Sequence, residues 1–281
     1  MQKTERRKRQ GVMLAFPVDE KRLDKMPNCV YMQPKLNGER CKAEWNEELG
    51  YHVLKSSSGI PFKFLQHIEY DLRKPFKGVS VDGELYFHGW SREKIHSIVS
   101  RKTTPHKDVQ QMEYHAFDLI NKDVQMVRMT LLQDVMSDVS LKILHATKLY
   151  KRHLYAYTVN CVEDGYEGAI IRNPFGFYEE KRSNNLLKFK PEKTDRYLIV
   201  GTKREVDKYG EPKNALGAIL VKGSDGTDFY VGSGAALTKE ARESLWLKRN
   251  DLPGKWARVK HSIILTVNGA PTCTSLVSIE Y

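Results

Sequence analysis

Over the first 190 residues apolar and polar positions alternate in short runs, with few long helical stripes. Period-two runs bounded by turn residues predict strands at 51–54, 79–87, 114–119, 168–172 and 186–190. One longer stretch, 131–149, sets Leu132, Val135, Val139 and Ile143 at steps of three and four, which predicts an amphipathic helix. Strands and helices interleave irregularly, so the fold class is α+β. After Pro191 the texture changes. Strands are predicted at 196–203, 216–222 and 227–231, the last two joined by a hairpin turn at Asp225-Gly226. Thr238 then caps a helix running to about Arg249, with Glu240 and Glu243 near its positive end. Strands at 256–265 and 275–281 complete the chain. Three strands, a helix and two strands is the order of a small OB-fold β-barrel. The pattern therefore predicts two domains, 1–191 and 192–281.

Composition narrows the class. With 281 residues there is room for one or two cores, and 40% hydrophobic against 29% charged residues describes a folded chain rather than a disordered one. No apolar run approaches a membrane span. The run 11–18, following a basic start, is broken by Pro17 and lacks a small-residue cleavage site, so it does not read as a signal peptide. Cys29, Cys41, Cys161 and Cys273 are far apart with no CxxC pair, which excludes a zinc knuckle and a disulfide framework and predicts a reducing, cytoplasmic setting. Lysine and arginine total 46 against 35 acidic residues, a net charge of +11. The first ten residues, with five basic and one acidic, account for +4 of it and leave +7 on the body. An excess spread through the fold suits a polyanion such as nucleic acid, although a merely soluble basic surface has the same composition.

Candidate chemistry begins at Gln33-Pro34-Lys35-Leu36-Asn37-Gly38-Glu39-Arg40. Asn-Gly is a tight-turn pair, and its glycine lets the backbone approach a ligand closely. A lysine just before it can act as a nucleophile if neighbouring cations or burial help it shed its proton. Asp82-Gly83-Glu84 puts two carboxylates on one face of a strand, and Glu167 heads the apolar run 168–172, which ends in Arg172. Leu187-Lys188-Phe189-Lys190 puts two ammonium groups on one strand face. Ala116-Phe117-Asp118 sets an aromatic face beside a carboxylate. Each piece alone reads equally as a surface turn, a strand-edge charge or a core aromatic.

In this order the pieces resemble the covalent nucleotidyltransferase superfamily, and within it the small viral and phage ATP-dependent DNA ligases. The resemblance spans residues 28–191 by motif and the remainder by strand order. It implies a nucleotidyltransferase (ATP-grasp-like) adenylation domain followed by the OB-fold. Lys35 then matches the family's adenylated lysine and Arg40 the arginine near nucleotide and nick phosphate. Glu84 matches the acidic residue near ribose and metal, Phe117 the aromatic stacked on adenine, and Glu167 the second acidic metal-site residue. Lys188 and Lys190 match the pair facing the α-phosphate, Arg182 a further nucleotide-contacting arginine, and Gln33 a reader of the adenine edge. The implied cofactors are ATP and Mg2+ or Mn2+, with Glu84 and Glu167 as metal ligands. The implied partner is nicked duplex DNA, gripped by a monomer, with Arg40, Arg101 and Lys102 as DNA contacts.

Two positions depart from the family pattern. Asn37 stands where the family usually carries aspartate, removing a carboxylate beside the nucleophile. Ser57, in Ser56-Ser57-Ser58-Gly59, stands where relatives often carry an arginine that contacts the nick 5′-phosphate. Arg172 replaces a frequent lysine and keeps its charge. An RNA ligase or a capping-type enzyme shares the lysine motif and remains an alternative, as does a non-catalytic OB-fold nucleic-acid binder. The strand-rich tail favours a DNA ligase, no convincing sixth motif is found at its end, and an NAD-dependent ligase would need modules this length does not hold. No dedicated N-terminal DNA-binding domain is predicted.

Overall fold

A computed structural model of the chain describes residues 11–135, 139–223, 226–262, 270–271 and 274–280. The basic run at 6–9, Asp225, Cys273, Tyr281 and the predicted strand end at 263–265 lie outside the described residues. The chain divides into two compact units, Met1–Lys190 and Pro191–Tyr281.

The first unit runs β1 (Leu14–Pro17), α1 (Glu20–Asp24), β2 (Cys29–Lys35), β3 (Glu39–Asn46), β4 (Tyr51–Ser56), α2 (Gln66–Arg73), β5 (Ser80–Tyr86), α3 (Arg92–Val99), β6 (Glu113–Ile120), α4 (Gln125–Gln133), β7 (Leu141–Ile143), β8 (Thr147–Tyr150), α5 (Leu154–Glu163), β9 (Gly168–Arg172) and β10 (Arg182–Phe189). These strands form two five-stranded sheets, ordered β1-β10-β9-β2-β8 and β4-β3-β5-β6-β7. Each sheet has its own apolar layer. Ile68 and Leu72 of α2 and Ile95, Ile98 and Val99 of α3 pack against Ala43, Leu54, Val81 and Leu85 of the second sheet. Met32, Ala169, Ile171 and Leu187 of the first sheet close on Leu154 of α5. At roughly 1.5–3 kcal/mol for each fully buried large aliphatic side chain, these layers hold the sheets rigid. The backbone passes from the first sheet to the second at the short turn Leu36-Asn37-Gly38, between β2 and β3, and returns between β7 and β8.

The helix predicted over 131–149 is not formed. Helix α4 starts earlier, at Gln125, and ends at Gln133, and the short strands β7 and β8 follow it. The apolar residues that mimic one stripe serve different elements. Leu132 is buried on α4, Val139 is exposed, and Leu141 and Ile143 are buried on alternate positions of β7. The Ser140 backbone N–H and hydroxyl both donate to Asp71, fixing the chain where the strand begins.

The second unit runs β11 (Glu192–Val206), β12 (Pro212–Lys222), β13 (Asp228–Val231), α6 (Lys239–Leu247), β14 (Trp256–Ser262) and β15 (Ser275–Glu280). Thr238 caps α6 by accepting from the Ala241 N–H at 3.2 Å. The helix ends at Leu247, two residues before the predicted end. The described ladders form one antiparallel sheet, β13-β12-β11-β14-β15, and do not close it into a barrel. Three register shifts along β11 bend the sheet strongly. One face packs Ile199, Val221, Phe229, Ala257 and Val259, and the other exposes Arg196, Trp256, Arg258 and Lys260. No described helix is long and apolar enough to cross a membrane.

Candidate active site

Strand register assembles one wall of a cavity of about 280 Å³ within the first unit. β9 pairs with β2 and β10, so Lys35 lies opposite Gly168, Gln33 opposite Ile170, and Ile170 opposite Lys188. Alternate residues share a face, which brings Gln33, Lys35, Ile170, Arg172, Leu186, Lys188 and Lys190 to the same cavity. Gly168 has φ +148°, and a Cβ there would run into the Phe189 carbonyl. The empty position leaves room for Lys35 and Lys190 to converge. Glu167, whose N–H donates to the Lys35 carbonyl at 2.8 Å, bridges them, with Lys35 Nζ on Oε2 and Lys190 Nζ on Oε1.

The facing wall comes from β3, β5 and β6. A Cβ on Gly38 would strike the Leu85 carbonyl and Glu84 Cγ, so only glycine lets the nucleophile turn close on β5. The Gly38 N–H donates to Glu84 Oε1 at 2.6 Å. Arg40 Nε donates to Asp82 Oδ1 at 2.6 Å, its second amino group binds Asp82 Oδ2 and the Met13 carbonyl, and Tyr178 Oη donates to Asp82 at 2.5 Å. In the β5–β6 ladder Asp82 pairs with Asp118 but Gly83 pairs with Ala116, so Phe117 is the extra residue of a bulge. That bulge turns its ring to the cavity, 4.6 Å from Arg40 Cζ and 5.4 Å from Arg172 Cζ.

Behind Phe117 lies a fully buried polar network. Asp118 accepts from Arg128 Nε at 2.8 Å and from Arg172 at 2.7 Å, and Gln125 joins them. Gln33, also fully buried, donates to the Leu144 carbonyl at 2.7 Å and accepts from Arg172 Nε at 2.7 Å. Its amide is already engaged by the protein. Gln33 thus braces Arg172 from within the cavity wall.

Seven cationic side chains line the cavity (Lys35, Arg40, Arg92, Arg172, Arg182, Lys188 and Lys190) against three carboxylates, Glu39, Glu84 and Glu167. This imbalance suits a polyphosphate. The two central carboxylates are pushed apart. Burial raises the Glu84 pKa above the usual carboxylate value. Burial also pushes Glu167 up, but the Lys35 and Lys190 charges and hydrogen bonds outweigh it and hold it low. Lys188, with no carboxylate partner among the described residues, is held below the usual lysine value by burial and then by Lys190, Lys35 and Arg182. Arg182 donates to the Ala15 carbonyl at 2.6 Å at the cavity edge.

Of the residues read from sequence, Gln33, Lys35, Arg40, Glu84, Phe117, Glu167, Arg182, Lys188 and Lys190 all line this cavity. Arg101 and Lys102 do not; Arg101 Nε instead donates to the Ser97 carbonyl at the end of α3. Sequence reasoning missed Asp82, Arg128 and Tyr178 as supports and Arg92 as a lining residue. Their partners are 42, 10, 96 and 53 positions away, separations that no short motif encodes.

The family model described as ATP dependent DNA ligase domain matches residues 12–190. A DNA ligase of Haemophilus influenzae is 25% identical over 172 residues, covering 59% of this chain and 62% of that protein. A DNA ligase of African swine fever virus is 26% identical over 206 residues, covering 67% and 47%. Both matches thus span less than two thirds of the curated relatives. A solved structure from work on Lig E DNA ligases superposes with a TM-score of 0.74 at 20% identity, covering 96% of this chain and 99% of that one, a likeness of fold. With the family model matching well over half of its length, the chain belongs to the ATP-dependent DNA ligase family.

Proposed function

We propose that the protein is an ATP-dependent DNA ligase that seals nicks in duplex DNA as a monomer. The observation that carries this reading is the convergence of Lys35, Glu167, Lys188 and Lys190 on one net-positive cavity beside the Asn37-Gly38 turn. The Lys35 amine attacks the α-phosphorus of ATP, a P–N bond forms and pyrophosphate leaves. AMP then passes to the 5′-phosphate at a nick, and the adjacent 3′-hydroxyl displaces it. In the free protein Lys35 Nζ is paired with Glu167, so attack requires that pair to open. Lys188 and Lys190 supply fixed positive charge to the equatorial phosphate oxygens, where charge builds in an in-line displacement. Phe117 offers a ring face to the base, and Arg172, braced by Gln33 and Asp118, fixes the wall beside it.

The donor set suits a hard divalent cation. Glu84 and Glu167 face the same cavity, and Glu84 Oε2 has no partner among the described residues. Magnesium or manganese held there would neutralise phosphate charge.

The first unit, Met1–Lys190, serves as the adenylation domain read from sequence as 1–191, and the second, Pro191–Tyr281, as the OB-fold read as 192–281. A closed barrel is supported by the approach of the sheet's two ends: Leu276 N–H donates to the Ser233 carbonyl at 2.7 Å, and Ser233 Oγ donates to the Thr274 carbonyl at 2.6 Å. The exposed Arg196, Trp256, Arg258 and Lys260 face suits a phosphate backbone.

The test is incubation with labelled ATP, GTP or NAD and a divalent metal, followed by mass spectrometry. The expected product carries one AMP from ATP on Lys35, and Lys35→Ala forms none while remaining folded. A GMP adduct would move the protein to the capping-type enzymes. No adduct would leave it a nucleic-acid binder.

A further inference from the structure

Among the arginines of the cavity that pair with a carboxylate, one is held differently from the rest. Arg40 is clamped by both Asp82 oxygens, Arg172 is buried against Asp118, and Lys35 and Lys190 share Glu167. Arg92, at the first position of α3, is more than half exposed, at 56%, and touches Glu39 through one contact of 3.3 Å. Glu39 is shared, since His96 from the next turn of α3 binds the same oxygen at 3.1 Å. An arriving oxyanion can therefore take Arg92 without stranding Glu39. Ser57 lines the same mouth. The β3–β4 ladder pairs Cys41 with Ser56, so Ser57 follows on beside the Glu39-Arg40 end of β3. Ser57 carries no charge, and Arg92 is the cation left at that rim that a fork-shaped phosphate contact would require.

We infer that Arg92 binds the 5′-phosphate of the DNA strand at the nick, a contact Ser57 cannot supply. Glu39 stores Arg92 in the free protein, and the phosphate displaces Glu39 from the guanidinium. This inference rests on the ligase reading above. It assigns Arg92 to the DNA phosphate, in preference to the outer phosphates of ATP.

The experiment measures equilibrium binding of the AMP-charged full chain, with chelator to stop chemistry, to two nicked duplexes. One bears a 5′-phosphate at the nick and the other a 5′-hydroxyl. Wild type is expected to prefer the phosphate, and Arg92→Ala to lose about 10- to 100-fold of that preference, the range a charge-assisted hydrogen bond carries. Affinity for the 5′-hydroxyl duplex serves as the internal control for folding. Arg92→Lys should retain part of the preference, and Ser57→Arg placed in the Arg92→Ala background should restore it. A preference unchanged by Arg92→Ala overturns the assignment, and so does a raised KM for ATP in self-adenylation with the preference intact. Failure of wild type to take AMP would overturn the ligase reading itself and this assignment with it.

Discussion

Asp118→Asn probes the buried network that supports the Phe117 and Gln33 side of the site. Asp118 is fully buried, and so is Arg128, while the Arg172 side chain is 4% exposed. One carboxylate therefore serves two guanidinium groups, with contacts of 2.8 Å and 2.7 Å. Asparagine keeps the shape and one acceptor but leaves two buried cations facing each other without a counter-charge. Removing one partner of a buried ion pair costs about 3–5 kcal/mol, a large share of the roughly 5–15 kcal/mol that holds a domain folded. Arg172→Gln should behave differently. Burial already holds the Arg172 pKa below its usual value, with Asp118 only partly offsetting it, so its charge is carried at a cost. Glutamine can still donate to Gln33, and Asp118 keeps Arg128, so the expected loss is about 1 kcal/mol or less. The double variant should be more stable than Asp118→Asn alone, because one stranded cation is gone. Hydrogen exchange at the β6 and β9 amides reports on this unit separately from the second. Should Asp118→Asn fall within about 1 kcal/mol of wild type, or Arg172→Gln prove the costlier change, the electrostatic argument fails.

What the sequence disclosed, and what it hid, follows the range of the interactions. The apolar run 168–172 marked β9 to the residue, since Gly168–Arg172 is a strand largely buried on both faces with a glycine at its head. The lysine turn, the Glu84 strand and the Lys188–Lys190 strand were legible because each chemistry-bearing residue sits beside its own turn or within its own strand. The 131–149 stretch was misread because two elements happen to continue each other's apolar spacing, while the Ser140–Asp71 contacts fix where the second begins. Arg128 on α4 is fully buried against Asp118 on β6, a pairing that no local pattern discloses. The Phe117 bulge is likewise invisible, because an extra residue on one strand changes no local pattern. Gln33 shows the limit most plainly: its position in the motif was readable, but its partners Leu144 and Arg172 come from 111 and 139 residues away.

Gly168→Ala should cost at least about 1–3 kcal/mol, because it combines a positive φ with a clash against the Phe189 carbonyl. Denaturation should show that loss together with a weaker AMP adduct, and a variant as stable as wild type would mean Gly168 is not what sets the β9–β10 spacing. Glu84→Gln should separate function from stability. Burial raises the Glu84 pKa in the folded state, so the folded chain binds that proton more tightly than the unfolded chain does. The stability this confers is fully present below the ordinary carboxylate value of about 4.5 and is lost as pH rises through the raised folded value. At neutral pH wild type therefore carries a buried charge that glutamine does not, while glutamine can still accept from the Gly38 N–H. Urea unfolding from pH 4 to 8 should find the two proteins nearly equal at the acid end and Glu84→Gln more stable at the neutral end, with metal-dependent AMP transfer lost. A stability gap that widens toward acid would reverse the sign and show that Glu84 is stabilised as the carboxylate, as Glu167 is by Lys35 and Lys190.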